Sequence, residues 1–410
     1  VSGVVDMDDG IDAIFTKAKQ GRVLFQDRSA LSPEFIPDHL PFRESQISNI
    51  AQVLGTTLHG SKPSNLLLYG KTGTGKTAVA RLVVRKLQNQ DDSKQILATY
   101  VNSRIAGTEY RTLFKIAEAL PLEQDKKIPL TGLSISEVVG LSISEVVGRI
   151  FESISKNGIH FVLILDEIDY LVNSEHETLY QFTRAGEQVA PGFLTIVGIS
   201  NDLRFKEALD PRVLSSLGEE ELVFPPYTTE ELRSILAERA KVAFKSGVVP
   251  ESTINLCAAL AGSEHGDARR AVDLLRIAGE VAEREGHQRV DEECIRKASQ
   301  KVERDRVEEA LQSLPLQNKI IIIAASKFPG GTNTGEVYLA YSNLARKSSA
   351  EVLTQRRVSG ILAELDVLGL VEAAVVSKGR RGRTKRIKVL IDNETLARVI
   401  GEDAGLLDLA

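Results

Sequence analysis

Asn65-Leu66-Leu67-Leu68-Tyr69-Gly70-Lys71-Thr72-Gly73-Thr74-Gly75-Lys76-Thr77-Ala78 is the stretch that decides the fold. Asn65–Tyr69 reads as a short apolar strand and Lys76–Leu87 as a helix. Between them the glycines fit G-x-x-x-x-G-K-[ST], in the strand–loop–helix setting that a phosphate-binding loop requires. Glycines let backbone N–H groups curl around phosphate oxygens, and the helix N-terminus adds its positive end. Lys76 would neutralise β- and γ-phosphates and Thr77 would hold Mg²⁺. The expected nucleotide contacts are Gly70, Lys71, Thr72, Gly73, Thr74, Gly75, Lys76, Thr77 and Ala78. At average residue frequencies the pattern arises by chance in about one or two chains in a hundred of this length, and its flanks reduce that further.

Such a loop needs a second element, and Phe161-Val162-Leu163-Ile164-Leu165-Asp166-Glu167 supplies it. A buried strand ending in two carboxylates sets Asp166 near the metal and gives Glu167 the place to polarise an attacking water. Asp166 alone would read as an acidic helix cap; beside the glycine loop it reads as the metal partner of Thr77. Asn201 closes another apolar strand, Leu194–Ser200, where a polar group can reach the terminal phosphate, although Asn-Asp is also a routine turn pair. Leu97–Asn102 adds a further strand. Apolar runs of this length separated by helical stretches indicate a parallel sheet covered on both faces.

Before this core lies an arm in which Pro33, Pro37 and Pro41 space out Phe35, Ile36, Leu40 and Phe42. After Thr228 strands give way to 3.6-residue periodicity, the mark of an all-helical domain. From near Arg306 three helical patterns precede a strand, a basic glycine-containing turn and a second strand. The expected domains are therefore 1–227, an arm and nucleotide-binding core; 228–304, a helical lid; and 305–410, a DNA-binding domain. Leu133–Gly140 and Leu141–Gly148 are both LSISEVVG, and two copies are too few for a solenoid.

In the third region Val358, Ile361, Leu362, Leu365 and Leu368 recur at helical spacing and must face a core, which leaves Gln355, Arg356 and Ser359 outward beside Arg357. The turn that follows carries Lys378, Arg380, Arg381, Gly382, Arg383, Thr384, Lys385 and Arg386. This is the layout of a winged helix, with one helix suited to the major groove and a basic hairpin suited to phosphates or the minor groove. A charge run is most often a solvated face, but seven basic residues among eleven (378–388) repel one another and call for an anionic partner.

The whole chain of 410 residues has net charge −5, yet Asp305–Ala410 has 15 Lys+Arg against 13 Asp+Glu, so overall acidity does not exclude nucleic acid. No apolar run reaches the roughly 18–20 residues of a membrane helix, and the acidic start is unlike a secretory leader. Cys257 and Cys294 are far apart, without a disulfide or metal pattern. A cytoplasmic, nucleoid-associated protein without a membrane partner is expected.

The order of these motifs resembles the AAA+ ATPases. More narrowly, PSNLLLYGKTGTGKT (63–77), LDPRVLSSLGEEELVFPPYT (209–228), GDARRAVDLL (266–275), RRVSGILAELDVLGL (356–370) and SKGRRGRTKRIKV (377–389) resemble the archaeal replication initiators of the origin recognition complex and cell-division-control family. The resemblance spans most of the chain from about Phe25. It implies an AAA+ core, a helical lid and a C-terminal winged helix, ATP and ADP as alternating ligands with Mg²⁺, and weak ATP hydrolysis used as a switch. Its implied partners are double-stranded origin DNA, the replicative helicase and other initiator subunits. It further implies that Arg269 is a sensor of nucleotide, a choice over Arg270 that only the motif makes. Arg212 would be a finger acting on a neighbouring subunit's nucleotide. Tyr227 and Arg239 would lie near the nucleotide, and Ile36, Pro37 and Arg43 would line the adenine pocket. Plain surface charge for Arg239 and plain packing for the arm residues are the alternatives. Members carry an extra helical insertion, here within 111–149, where Thr131 and Ser134 would touch DNA.

Two other functions fit parts of this pattern. A STAND-type regulatory switch would pack its winged helix internally, which an exposed basic hairpin argues against. A helicase or clamp loader would act mainly on protein.

Overall fold

The computed structural model describes residues 23–122, 142–172, 177–202, 204–263, 266–348, 350–377 and 383–401. Contacts gather the chain into two units, Val1–Ile295 and Arg296–Ala410.

In the first unit, helix α1 (Glu44–Gly55) leads to strand β1 (Leu66–Tyr69), helix α2 (Lys76–Asn89) and strand β2 (Ile96–Asn102). Helices α3 (Glu109–Glu118) and α4 (Ile143–Asn157) precede β3 (His160–Asp166) and β4 (Phe193–Ser200); α5 (Pro211–Leu217) precedes β5 (Glu220–Val223). The sheet runs β2-β3-β4-β1-β5, all parallel. Alternate residues of β3 feed two cores. Phe161, Leu163 and Leu165 pack with Leu113, Ile116 and Ile150 of α3 and α4. Val162 and Ile164 pack with Ile50 and Leu54 of α1 and with Val79 and Leu82 of α2. A strand buried on both faces is apolar at every position, which is why β3 reads as an unbroken apolar run. β5 is the exception: an edge strand paired only with β1, with Glu220 and Glu221 exposed, it carries no apolar signature.

Helices α6 (Thr229–Ala243), α7 (Glu251–Ser263), α8 (Ala268–Glu285) and α9 (Glu292–Ser313) follow. Thr228 opens α6 with a reciprocal capping box to Glu231. The arm belongs to this helical part as well as to the sheet. Phe25 stacks on Phe244 at 4.5 Å between ring centres, Gln26 N donates to Ala243 O at 2.8 Å, and Arg28 pairs with Glu283. Helix α9 runs continuously through 304/305, so no loop marks the boundary expected there.

The second unit contains α10 (Leu316–Ser326), β6 (Thr332–Asn333), α11 (Thr334–Lys347), α12 (Gln355–Val367), β7 (Val371–Ser377), β8 (Arg383–Val389) and α13 (Asn393–Gly401). Its antiparallel sheet has the order β6-β8-β7. Ile320–Ile323, Val337, Leu344, Val358, Ile361, Leu362, Leu365 and Ile387 form the core. Buried Tyr341 fastens the turn between α11 and α12: its hydroxyl donates to Gln317 Oε1 at 2.6 Å and accepts from Leu353 N at 3.1 Å. Among the described residues, no helix is long and apolar enough to cross a membrane.

The second LSISEVVG copy has a plain local use, since Ser142 and Glu145 form the capping box that starts α4. The first copy lies outside the described residues.

Candidate functional site

Parallel register brings the ends of β1, β3 and β4 level: Tyr69 pairs with Ser200, and Asp166 with Ile199. Ligands of open parallel sheets sit at this edge. The glycine loop leaves β1 there, and α2 starts at Lys76. Lys76 is 4% exposed, and its Nζ donates to Gly70 O and Lys71 O, both at 2.7 Å. Burial is the main cause that lowers its pKa to about 8; Arg269 lowers it further, against Asp166 and Asp267. An anion entering beside such an amine raises its pKa again and holds it in the charged form.

Thr77 Oγ1 donates to Asp166 Oδ2 at 2.7 Å, and Tyr100 OH donates to the same oxygen at 2.9 Å. A hydroxyl and a carboxylate in contact form a hard oxygen set, which suits Mg²⁺. Burial, then the charge of Asp166, pushes the Tyr100 phenol up to about 12, so it serves as a donor. Glu167 stands in the left-handed region at φ 49°, with its N–H on Asp166 Oδ1 at 2.9 Å. Asn102 Nδ2 donates to Glu167 Oε1 at 3.5 Å, and Arg104 Nη1 lies 3.7 Å from Oε2. Left-handed backbone at a non-glycine costs on the order of 1–3 kcal/mol and clusters at working sites. Tyr100, Asn102 and Arg104 belong to no sequence motif. Their only signal is position: they end the strand beside Asp166 or follow it directly.

The helical part closes on the loop from above. Ala268 N donates to Gly73 O at 3.1 Å, and Asp267 caps α8 through Arg270 N at 3.1 Å. Arg269, in the first turn of α8, is exposed, and its charge acts on Lys76. Arg43 is 2% exposed, with Nε on Thr74 O at 2.9 Å, Nη1 on Phe42 O at 2.8 Å and Nη2 on Pro225 O at 2.6 Å. Its guanidinium covers the Tyr227 ring at 3.8 Å, and the Tyr227 hydroxyl lies 2.8 Å from where a Cβ on Gly75 would stand. Arg43 and Tyr227 thus brace the glycine loop from behind. Ile36 packs on the core of α1 and α2 with Pro37 half-buried beside it. Arg239 turns to the arm, donating to Ala30 O at 3.1 Å and covering the Phe35 ring at 4.7 Å. Asn201 is exposed just past β4. Arg212, its side chain 63% exposed, makes a two-pronged pair with Asp210 at 3.1 and 2.9 Å.

In the second unit Gln355, Arg356 and Arg357 are exposed at the start of α12, Ser359 is half-buried, and Val358 is fully covered. Arg357 lies 3.6 Å from Glu364. The β7–β8 hairpin pairs Ser377 with Arg383 and Val376 with Thr384. On β8, Lys385 and Arg386 are exposed while Ile387 is buried, and Arg386 Nη2 donates to Gly330 O at 2.7 Å. Lys378, Arg380, Arg381 and Gly382, with Thr131 and Ser134, lie outside the described residues.

A phosphate loop backed by a strand-end carboxylate, a helical lid resting on that loop and a separate winged helix define an AAA+ ATPase-type protein. Three family models match in that order: an AAA ATPase domain over 39–197, a Cdc6 AAA+ ATPase-type lid domain over 233–300, and a CDC6 C-terminal winged helix domain over 309–399. The chain belongs to the ORC1-type DNA replication protein family. It is 42% identical to the ORC1-type DNA replication protein 1 of Methanosarcina acetivorans over 97% of this chain and 95% of that one. It is 44% identical to that of Aeropyrum pernix over 96% and 98%. The solved structure of the Aeropyrum pernix ORC1 protein in complex with DNA has a TM-score of 0.81 at 43% identity, covering 95% of this chain and all of that one. Nucleotide binding and a role in DNA replication go with this family.

Proposed function

We propose that this chain is an ATP-switched replication initiator that binds origin duplex DNA through its winged helix and AAA+ domain and recruits the replicative helicase. The observation that carries the reading is the full-length likeness, at 43% identity, to a protein solved on DNA. The proposed division is 1–227, 228–304 and 305–410.

Lys76 and the loop N–H groups hold the β- and γ-phosphates, Thr77 and Asp166 hold Mg²⁺, and Tyr100 orients Asp166. Bound Mg²⁺ supplies charge neutralisation on the phosphates. Glu167 holds the attacking water, with its carboxylate steered by Asn102 and Arg104. Arg269 reads the phosphate state for the lid, and Arg212, carried on an exposed helix start, acts on a nucleotide in a neighbouring subunit. That division of labour makes hydrolysis by one isolated chain slow. Gln355, Arg356 and Ser359 face the major groove, and the basic hairpin meets phosphates beside it. Such a protein works in the cytoplasm at the nucleoid.

The test is fluorescence anisotropy of the full chain on labelled origin and random duplexes, with ATP or ADP and Mg²⁺. Tighter binding to the origin duplex, weakening with salt and changing with nucleotide, is expected. Equal, salt-insensitive affinities would sink the reading.

A further inference from the structure

The corner joining α8 to α9 carries a group of side chains that nucleotide and DNA binding do not use. His287, Asp291 and Cys294 each offer one donor atom, and these atoms all lie within 4.8 Å of one another, with Asp291 on the solvent side and Cys294 buried beneath. His287 Nε2 lies 3.1 Å from Glu285 Oε2, while Nδ1 lies 3.4 Å from Asp291 Oδ2. A metal ion would take the place of the proton between Nδ1 and Asp291 Oδ2, the ring keeping its other proton on Nε2 against Glu285. Two bonds of roughly 2.0–2.1 Å at the tetrahedral angle separate their donor atoms by about 3.4 Å, the geometry of zinc ligands. A carboxylate on the far nitrogen is also the usual outer partner of a metal-bound imidazole.

The corner is rigid. Val290 is fully buried; its N–H donates to Val248 O at 2.9 Å and its carbonyl accepts from Thr253 Oγ1 at 2.7 Å. His287 N donates to Ala282 O at 2.8 Å, and Asp291 Oδ1 caps Cys294 N at 2.9 Å. One side chain is thus held before the turn and two after it, with Cys294 fully buried and His287 28% exposed.

We infer that His287, Asp291 and Cys294 form a binding site for a zinc-class transition-metal ion that staples the α8–α9 corner of the lid, with Glu285 as the outer partner of His287. Nitrogen, oxygen and thiolate donors together suit Zn²⁺ or Co²⁺ over Mg²⁺ or Ca²⁺. Burial, and then Asp291, push the Cys294 thiol up to about 11, so ion binding releases its proton. The spacing H-x3-D-x2-C is no recognised ligand motif; the pinned turn brings the three together.

Co²⁺ titration of the full chain, followed by absorption, tests the site, because cobalt bound to thiolate gives a charge-transfer band that oxygen ligands at Thr77 and Asp166 do not. One ion per chain is expected, with the band bleached by Zn²⁺, absent in Cys294→Ala and in His287→Gln, and needing about tenfold more Co²⁺ in Glu285→Gln. His287 is at the surface, so His287→Gln decides the matter even should Cys294→Ala fail to fold. No band at saturating Co²⁺, or a band that persists in either ligand variant, overturns the inference.

Discussion

The carboxylate of Asp267 occupies the space beside Gly73 where a side chain would otherwise stand: a Cβ built there lies 1.7 Å from Asp267 Oδ1, and Gly73 has φ 69°. The Asp267 side chain of the lid therefore packs directly on the bare backbone of the phosphate loop. Gly73→Ala must push the Asp267 carboxylate off its cap on Arg270 N while also straining the backbone, so nucleotide affinity falls. Asp267→Ala removes the α8 cap, costing about 1 kcal/mol, and loosens the same contact without a clash. Thermal unfolding with and without ADP separates the two. The glycine variant should lose most of its ADP-induced rise in Tm, and an unchanged rise would show that the lid contact is irrelevant to binding.

Lys76 makes nucleotide binding depend on pH. With its amine lowered to about 8 in the free protein and restored by a bound polyphosphate, binding takes up protons near pH 8. Affinity should be full below that pH and decline as pH rises through it. Calorimetry at pH 8 in buffers of different ionisation enthalpy reads the proton uptake directly. Heats that do not vary with buffer would remove Lys76 from this role.

Arg43 donates to three carbonyls from an almost fully covered position. Arg43→Ala leaves those acceptors unpaired and should cost about 3 kcal/mol, read as a lowered urea midpoint. Arg43→Lys should recover less than half, because a single ammonium cannot span the loop, Phe42 and Pro225 together. Full recovery by lysine would mean that charge matters here and geometry does not.

The first unit was legible where one physical constraint dominates. Strands buried on both faces announce themselves as apolar runs, and the glycine loop, Lys76, Thr77 and Asp166 form a local or nearly local pattern. Contacts across the fold left no such mark. Tyr100 reaches Asp166 because parallel register sets β2 beside β3, and Arg43 braces Thr74 because the arm folds back. The edge strand β5 escaped because Glu220 and Glu221 give it a solvent-facing composition. The arm's hold on α6 and α8 was hidden as well. Phe25 needs both Phe244 and the bare flank of Gly279, where a Cβ would come within 2.5 Å of its ring, and no single window of sequence contains that triple.

The winged helix gives a prediction that separates two adjacent arginines. Each phosphate neutralised on duplex DNA adds about 0.9 to the slope of log affinity against log salt. Arg356 and Lys385 are exposed, whereas Arg357 is already near Glu364 at 3.6 Å. A charge that must leave a carboxylate to reach a phosphate gains less from DNA, although an exposed pair of this kind is worth only about 0–1 kcal/mol. Arg356→Ala and Lys385→Ala should each flatten the slope by about one unit, with Arg357→Ala flattening it less. Glu364→Gln should tighten binding by releasing Arg357. Anisotropy of the full chain at several salt concentrations measures all four. An equal loss for Arg356→Ala and Arg357→Ala, with no gain from Glu364→Gln, would show that the Arg357–Glu364 pair does not restrain the α12 surface.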